Sequence, residues 1–148
     1  MSAYDIRAAR ASDAAEIARL TTELGYPASV EQTASRLAAL LPLADRFLVV
    51  VAEADGHFLG WIAAEHRLLL HSEARAELIG LVVGSDARRR GVGQALVGAA
   101  EKWAVGRGLT GISVRSNAAR SESHPFYEHL GYRRNKTQHS YVKEFDGI

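Results

Sequence analysis

The loop at residues 88–94 carries the residue types and spacing best suited to chemistry. Its members are Arg88, Arg89, Arg90, Gly91, Val92, Gly93 and Gln94. It follows an apolar, branched stretch, Ala76–Val83, that predicts a buried strand, and it opens a predicted helix. Glycine lets backbone N–H groups approach a ligand closely, and the first N–H groups of a helix have no partner within it. The sequence therefore predicts an anion site suited to phosphate, with arginines adding positive charge.

Two familiar kinds of phosphate loop are disfavoured here. The loop does not end in the Gly-Lys-Ser/Thr sequence that binds a Mg-nucleotide. Leu96 stands where a dinucleotide fold needs a third small residue, and no convincing βαβ unit precedes the loop. Three consecutive arginines could also suggest RNA, but beside a phosphate-binding turn a cofactor explains them better.

Composition narrows the class of protein. The chain has 148 residues, 47% hydrophobic and 24% charged, with a formal net charge of +1. This is typical of one globular domain, residues 1–148, and argues against a dedicated nucleic-acid binder. There is no cysteine to carry an acyl group, and the six histidines form no His-x-x-x-His pair, so we expect no metal site. No apolar run is long enough for a membrane span and no signal-peptide pattern is present, so we expect a cytoplasmic protein.

Hydrophobic periodicity predicts an α/β fold around a mixed, mostly antiparallel sheet. Strands are expected at Tyr4–Arg7, Arg46–Ala54, Phe58–Leu70, Glu77–Val83, Thr110–Val114, Tyr132–Arg134 and Gln138–Glu144. Helices are expected after Ser12 or Asp13, after Ser29, from Gly91 to about Arg107, and at Ser123–Leu130. The resulting order is β-α-α-β-β-β-α-β-α-β-β, with helices on both sides of the sheet.

The loop resembles the Arg/Gln-x-x-Gly-x-Gly/Ala loop of the GNAT superfamily, the acyl-CoA-dependent N-acyltransferases, and the predicted order of elements is that of the GNAT fold. The similarity continues along the chain in five short motifs. These are Leu24-Gly25-Tyr26-Pro27, Ala52-Glu53-x-Asp55-Gly56, Leu81-Val82-Val83, Ala100-Glu101-x-Trp103-Ala104 and His124-x-Phe126-Tyr127-Glu128-x-x-Gly131-Tyr132. The resemblance implies an acetyl-CoA-dependent N-acetyltransferase, and a homodimer is a fair expectation from the family.

The resemblance also implies which residues contact the cofactor. The loop amides would hold the pyrophosphate of coenzyme A, and the backbone of Leu81, Val82 and Val83 would pair with its pantetheine arm. Asn117 resembles an asparagine that contacts CoA in relatives, although ten positions separate it from Tyr127, which is longer than the common spacing. Arg120 could meet a cofactor phosphate or an acidic acceptor, a solvated loop arginine being the simpler interpretation.

Acetyl transfer to an amine needs a deprotonated amine and a proton for the departing thiolate. Tyr127 is the candidate proton donor, because a phenol with a pKa near 10 is protonated at neutral pH and it matches the family's tyrosine at the CoA sulfur. Glu77, on the core strand, is the leading candidate for the base and would act through a bound water. Glu65, His66 and His71 are weaker candidates for the same role.

The expected acceptor is a primary amine that attacks the thioester directly in a ternary complex. By resemblance, Tyr26 and the strand at Phe58–Leu70 should line the acceptor site. The motifs look closest to small-molecule members, such as aminoalkylphosphonate or aminoglycoside acetylating enzymes. A peptide or protein amine is the rival acceptor, and a non-catalytic acyl-CoA-binding module is the rival function. The acceptor, the acyl-chain preference and the oligomeric state are not determined by these residues.

Overall fold

The computed structural model describes residues 4–88, 90–115 and 123–146, with Ser123 described by its backbone only. The chain divides into two compact units, Met1–Arg115 and Ser116–Ile148. Each unit is described by itself below.

The first unit is built on a five-stranded mixed sheet. The strands are β1 (Asp5–Ala8), β2 (Phe47–Ala54), β3 (His57–Arg67), β4 (Arg75–Val83) and β5 (Ile112–Val114), in the order β1-β2-β3-β4-β5. Neighbouring strands from β1 to β4 are antiparallel, whereas β5 runs parallel to β4. The predicted mixed, mostly antiparallel sheet is therefore confirmed. The third strand ends at Arg67 rather than Leu70, because Leu68 and Leu70 lie outside the ladder with their side chains exposed.

Three helices belong to this unit: α1 (Ala14–Glu23), α2 (Val30–Leu40) and α3 (Val92–Gly106). The start of α2 follows directly from local sequence. The Ser29 hydroxyl accepts the N–H of Gln32 at 3.0 Å, and the Gln32 side chain accepts the N–H of Ser29 at 3.1 Å. This confirms the predicted capping box. At the end of α1, Gly25 adopts a φ of 94°, and the N–H of Tyr26 bonds the carbonyl of Thr21, so a glycine ends the helix as predicted.

The sheet buries both of its faces against helices. On one face Leu20 of α1 and Leu37 of α2 pack with Val51 and Val82. On the other face Leu96 of α3 lies against the sheet, and its Cδ1 atom would stand 3.2 Å from a Cβ placed on Gly60. Leu20, Ile62 and Leu96 are fully buried, and burial of each such side chain stabilises the fold by about 1.5–3 kcal/mol. These two layers fix the positions of β3, β4 and the start of α3.

The second unit contains α4 (Ser123–His129), close to the predicted helix, but the two closing strands predicted at Tyr132–Arg134 and Gln138–Glu144 are absent from its described residues. Tyr132 instead ends the helix: Gly131 has a φ of 94°, and the N–H of Tyr132 bonds the carbonyl of Tyr127 at 3.0 Å. In the later segment Tyr141 and Val142 are both exposed. That prediction was wrong because alternation can describe a strand-like segment but cannot supply the partner strand that a ladder needs.

Candidate active site

Strand β4 changes its pairing at Ile79. Ala76, Glu77 and Leu78 pair with β5 on one side. On the other side Ala64 of β3 lies opposite Leu78 and Ala63 lies opposite Gly80, so Ile79 is an extra, bulged residue. A β-bulge bends its strand and disrupts the local ladder. Among the described residues, β4 and β5 pair only before the bulge, at Ala76, Glu77 and Leu78.

The backbone of β4 after the bulge presents hydrogen-bonding groups to that open side. The N–H of Gly84 bonds the carbonyl of Leu59 on β3 at 2.8 Å. Backbone N–H and C=O groups alternate in direction along an antiparallel strand. Those of Val82 therefore also face β3, and those of Leu81 and Val83 point the other way. In the part of the chain that the structure describes, no strand pairs with that edge. An unpaired edge of this kind can bind an extended ligand through its main chain.

Helix α3 begins close to the end of β4, at the glycine predicted to start it. Gly91 has a φ of 76°, a left-handed conformation that favours glycine, and its carbonyl accepts the first intrahelical bond, from Ala95, at 3.0 Å. The N–H groups of Val92, Gly93 and Gln94 precede that bond, and among the described side chains none caps the helix. Val92 is buried, so it contributes through its backbone. N–H groups at a helix start, together with the helix dipole, favour the binding of an anion.

The arginines of the loop are described at two of their three positions. Arg88 is exposed and extended, and Arg90 is half-buried with its N–H bonded to the carbonyl of Ala87 at 3.3 Å. Arg89 lies outside the described residues, as do Asn117 and Arg120. The structure therefore places Arg88 and Arg90 beside the helix start, as the sequence predicts.

Side chains of α1 and β3 hydrogen-bond the turn that leads into this loop. Glu23 of α1 accepts the backbone N–H of Ser85 at 3.1 Å and its hydroxyl at 2.9 Å. The backbone and side-chain bonds from Ser85 lower the pKa of Glu23. The Nε2 atom of His57 lies 2.9 Å from Oδ2 of Asp86, and this bond lowers the pKa of Asp86. The loop at residues 88–94 is thereby positioned by α1 and the β2–β3 hairpin.

Glu77 lies on the face of the sheet opposite α3. Its side chain is only 15% exposed, and Oε1 lies 3.3 Å from Nη1 of Arg67 and 3.9 Å from Nε of Arg115. The Ser113 hydroxyl is 3.5 Å from the same oxygen. The predicted base is therefore a partly buried carboxylate that Arg67 binds and Arg115 approaches, a surrounding that the strand pattern around Glu77 did not indicate.

Trp61 covers the same face beside the bulge. The six-membered ring of its indole would lie 2.8 Å from a Cβ placed on Gly80, so glycine there lets the ring rest against the backbone of β4. Its Nε1 donates to Oγ1 of Thr21 on α1 at 3.1 Å. Trp61 and Gly80 were not singled out from the sequence, and the only signal was a glycine within an apolar strand.

The weaker candidates for a base have other partners or lie at the edge of the site. Glu65 pairs with Arg46 at 2.8 Å, and His66 accepts a bond from Nε of Arg107 at 2.9 Å. His71 lies beyond the end of β3 and is exposed. Tyr26, in the link between α1 and α2, is 43% exposed.

Tyr127 belongs to the second unit, on α4. Its ring packs edge-on against Phe126, with centroids 5.0 Å apart, and against Tyr132 at 5.8 Å. Burial raises the pKa of its phenol above the usual value near 10. The group therefore carries its proton throughout the neutral range, as a general acid must.

The described residues contain neither a metal-binding group nor a membrane-spanning helix. No group of three or more histidine, cysteine, aspartate or glutamate side chains is arranged to hold a metal ion there. Among those residues no helix is both long enough and apolar enough to cross a membrane.

A strand that opens at a bulge and leads to a glycine-started helix is typical of a protein suited to an extended ligand that carries a phosphate group. A more specific assignment comes from the sequence, because residues 13–132 match the family model "Acetyltransferase (GNAT) family". The chain therefore belongs to the GNAT family and is an acetyl-CoA-dependent N-acetyltransferase. No curated protein sequence matches it.

Solved structures share the fold at low sequence identity. An aminoglycoside N-acetyltransferase, AAC(6')-Iy, in complex with CoA is 22% identical, with a TM-score of 0.85, over 98% of this chain and 97% of that chain. The aminoglycoside 6'-N-acetyltransferase AAC(6')-Ih from Acinetobacter baumannii is 20% identical, with a TM-score of 0.83, over 97% of this chain and 99% of that chain. Glucosamine-6-phosphate N-acetyltransferase from Arabidopsis thaliana is 19% identical, with a TM-score of 0.82, over 97% of this chain and 100% of that chain.

Proposed function

We propose that this protein transfers the acetyl group of acetyl-CoA to the primary amine of a small molecule, by direct attack in a ternary complex. The observation that carries the proposal is the open edge of β4 beyond Ile79, which leads to the helix start at Gly91. A ligand with an amide-bearing arm and a diphosphate matches these two features in order. Acetyl-CoA is such a ligand, and it supplies an activated thioester.

In this proposal the chain holds the cofactor mainly through its backbone. The polar groups of Leu81 and Val83 bind the amides of the pantetheine arm, with Val82 fixing the strand against β3. The N–H groups at Gly91–Gln94 bind the diphosphate, and Arg88, Arg89 and Arg90 neutralise its charge. A strand N–H near the bulge also stabilises negative charge that develops on the thioester oxygen. Asn117 is a further proposed contact of the cofactor.

Two side chains move the protons. Glu77 accepts a proton from the acceptor ammonium through a water molecule, and the free amine then attacks the acyl carbon. The new C–N bond forms, the C–S bond breaks, and Tyr127 gives its proton to the departing thiolate. The nitrogen of the new amide loses its extra proton, which restores the phenol of Tyr127. No cysteine exists to carry the acetyl group, which supports direct transfer.

Small-molecule acceptors are supported by the solved relatives, whose names specify aminoglycosides and glucosamine-6-phosphate. We propose that Tyr26 and the face of β3 line the acceptor site. A homodimer and a cytoplasmic location also stay predictions.

The proposal is tested by thermal unfolding with acetyl-CoA, CoA or ATP, followed by thiol release across a panel of amines. Acetyl-CoA at a hundredfold excess over its Kd should stabilise the protein by about 2.7 kcal/mol, whereas ATP should not. Thiol release with an amine in the panel supports the enzyme. The absence of a shift with either CoA species would overturn the cofactor site. A shift without turnover on any small amine would overturn the proposed acceptor and favour a protein acceptor or a binding module.

A further inference from the structure

The end of the sheet beside Glu77 contains an unusual arrangement of charges. Across β3 and β4, Glu65 lies directly opposite Glu77, and Arg67 lies directly opposite Arg75. Like charges in directly opposite positions destabilise a sheet. Two consecutive like-charged pairs on one face therefore need an explanation beyond the stability of the fold.

Neighbouring ion pairs compensate only part of this repulsion. Arg46 binds Glu65 at 2.8 Å, and Arg67 binds Glu77 diagonally at 3.3 Å. Arg115 approaches the same Glu77 oxygen only to 3.9 Å and is 74% exposed. Arg75 is exposed, and the structure gives it no acidic partner within the described ranges. Four arginines thus face two glutamates, and Arg75 and Arg115 remain available to an anion.

This charged face is the accessible side of the bulge. Ala76 and Leu78, which alternate with Glu77 along β4, are buried on the side of α3. Ile79 itself is 45% exposed, and Arg67 is 34% exposed. Glu77 lies two residues, or about 7 Å, along the strand from the bulge. An acceptor whose amine lies at the bulge can therefore extend along this face towards Glu77 and the arginines around it.

We infer that the acceptor carries an anionic group, a carboxylate or a phosphate, which is bound by Arg67, Arg75 and Arg115 while the amine faces the bulge. Binding of the anion draws Arg67 and Arg115 away from Glu77 and leaves that carboxylate able to receive the proton of the acceptor. This inference rests on the proposed function and narrows its substrate class. Such an acceptor differs from the polycationic aminoglycosides named for two of the solved relatives, which four arginines would repel.

The test compares matched pairs of amines that differ in one anionic group: β-alanine against β-alaninamide, and phosphoethanolamine against ethanolamine. In the unaltered protein kcat/KM should favour the anionic member of at least one pair by about tenfold to a hundredfold, as expected for a charge-assisted contact. The first pair reports a carboxylate and the second a phosphate. The KM of the preferred anion should rise with added salt.

The variants Arg75→Gln and Arg115→Gln should each reduce that preference by about tenfold, and Arg75→Lys should retain more of it than Arg75→Gln. Arg36→Gln, on the exposed side of α2, is the matched control and should leave the preference unchanged. Circular dichroism and thermal unfolding of each variant establish that it is folded.

The outcomes separate this inference from the proposed function. Preference for neutral amines or for an aminoglycoside such as neomycin, or a preference for anions that both glutamine variants retain, would overturn the inference alone. Binding of acetyl-CoA without turnover of any amine, anionic or not, would overturn the proposed function and this inference with it.

Discussion

Tyr127 illustrates how burial changes the pKa of a single side chain. Its ring is half-buried between Phe126 and Tyr132. Removing the phenol from water disfavours the phenolate, so burial raises the pKa of Tyr127 above its usual value. The phenol therefore keeps its proton at neutral pH.

We expect Tyr127→Phe to lower kcat by about a hundredfold or more, with little change in the KM for acetyl-CoA, because only proton donation to the thiolate is lost. Since burial raises the pKa of Tyr127 above its usual value near 10, the phenol stays protonated to a higher pH than a free tyrosine does. The kcat of the unaltered protein should therefore show no tyrosine-dependent decline between pH 7 and 9. Steady-state thiol release as a function of pH provides both measurements.

The control for this substitution is Tyr141→Phe, because the side chain of Tyr141 is 90% exposed in the same unit. It should leave kcat unchanged. A Tyr127→Phe protein with full kcat across this pH range would show that another group, or water, protonates the thiolate.

At the scale of elements, the start of α3 combines a conformational requirement with a binding requirement. Gly91 turns the chain with a φ of 76°, and the helix that follows has 15 residues, Val92–Gly106. Its free N–H groups are useful only if the chain enters the helix at this angle. The left-handed conformation costs other residues about 1–2 kcal/mol, so the sequence and the site depend on the same glycine.

We expect Gly91→Ala to lower the free energy of unfolding by about 1 kcal/mol and to weaken the binding of CoA. A Cβ at this position has open space around it, so the cost is conformational rather than steric. Gly98→Ala, within the same helix and also without a neighbour within 4 Å, should instead stabilise by about 0.5–1 kcal/mol. Urea unfolding and CoA titration of the two variants make the comparison, and equal stability changes would contradict this explanation of Gly91.

At the scale of the whole molecule, an ion-pair cluster joins the first strand to the rest of the sheet. Arg7 of β1 donates to both carboxylate oxygens of Asp13, at 2.9 and 3.0 Å, and to Glu53 of β2 at 2.6 Å. Asp13 is 5% exposed and also accepts the N–H of Arg10 at 2.7 Å. Desolvation by burial acts to raise the pKa of Asp13, but the bonds from Arg7 and Arg10 outweigh it and lower that pKa below its usual value.

We expect Asp13→Asn to reduce the free energy of unfolding by about 3 kcal/mol at neutral pH, because it removes one partner of a buried ion pair. A lowered pKa in the folded state stabilises the protein above the unfolded pKa of about 4, and this stabilisation is lost as pH falls through the folded pKa. The difference between the two proteins should therefore shrink below pH 4. Urea unfolding at pH 7 and at pH 3 measures it.

Asp5→Asn, at an exposed position of β1, is the control and should change stability little at either pH. A difference between Asp13→Asn and the unaltered protein that stays constant with pH would mean that the carboxylate charge is not the stabilising feature.

The sequence by itself determined the features that depend on residues near one another in the chain. The capping box of Ser29 and Gln32 follows from two side chains that can accept nearby backbone N–H groups. The glycine that ends α1 and Gly91 before α3 follow from left-handed conformations that few other residues tolerate. The glycine-started helix was therefore predictable, and the resemblance of its loop to a family led to the cofactor.

Only the tertiary structure decided the features that depend on pairing between distant segments. The register of β3, β4 and β5 produces three such features. They are the bulge at Ile79, the packing of Trp61 against Gly80 and the arginines around Glu77. The two strands predicted after α4 failed for the same reason. A periodic pattern states which side of a segment is apolar, whereas register and partner are set by contacts across the whole sheet, which the local sequence does not encode.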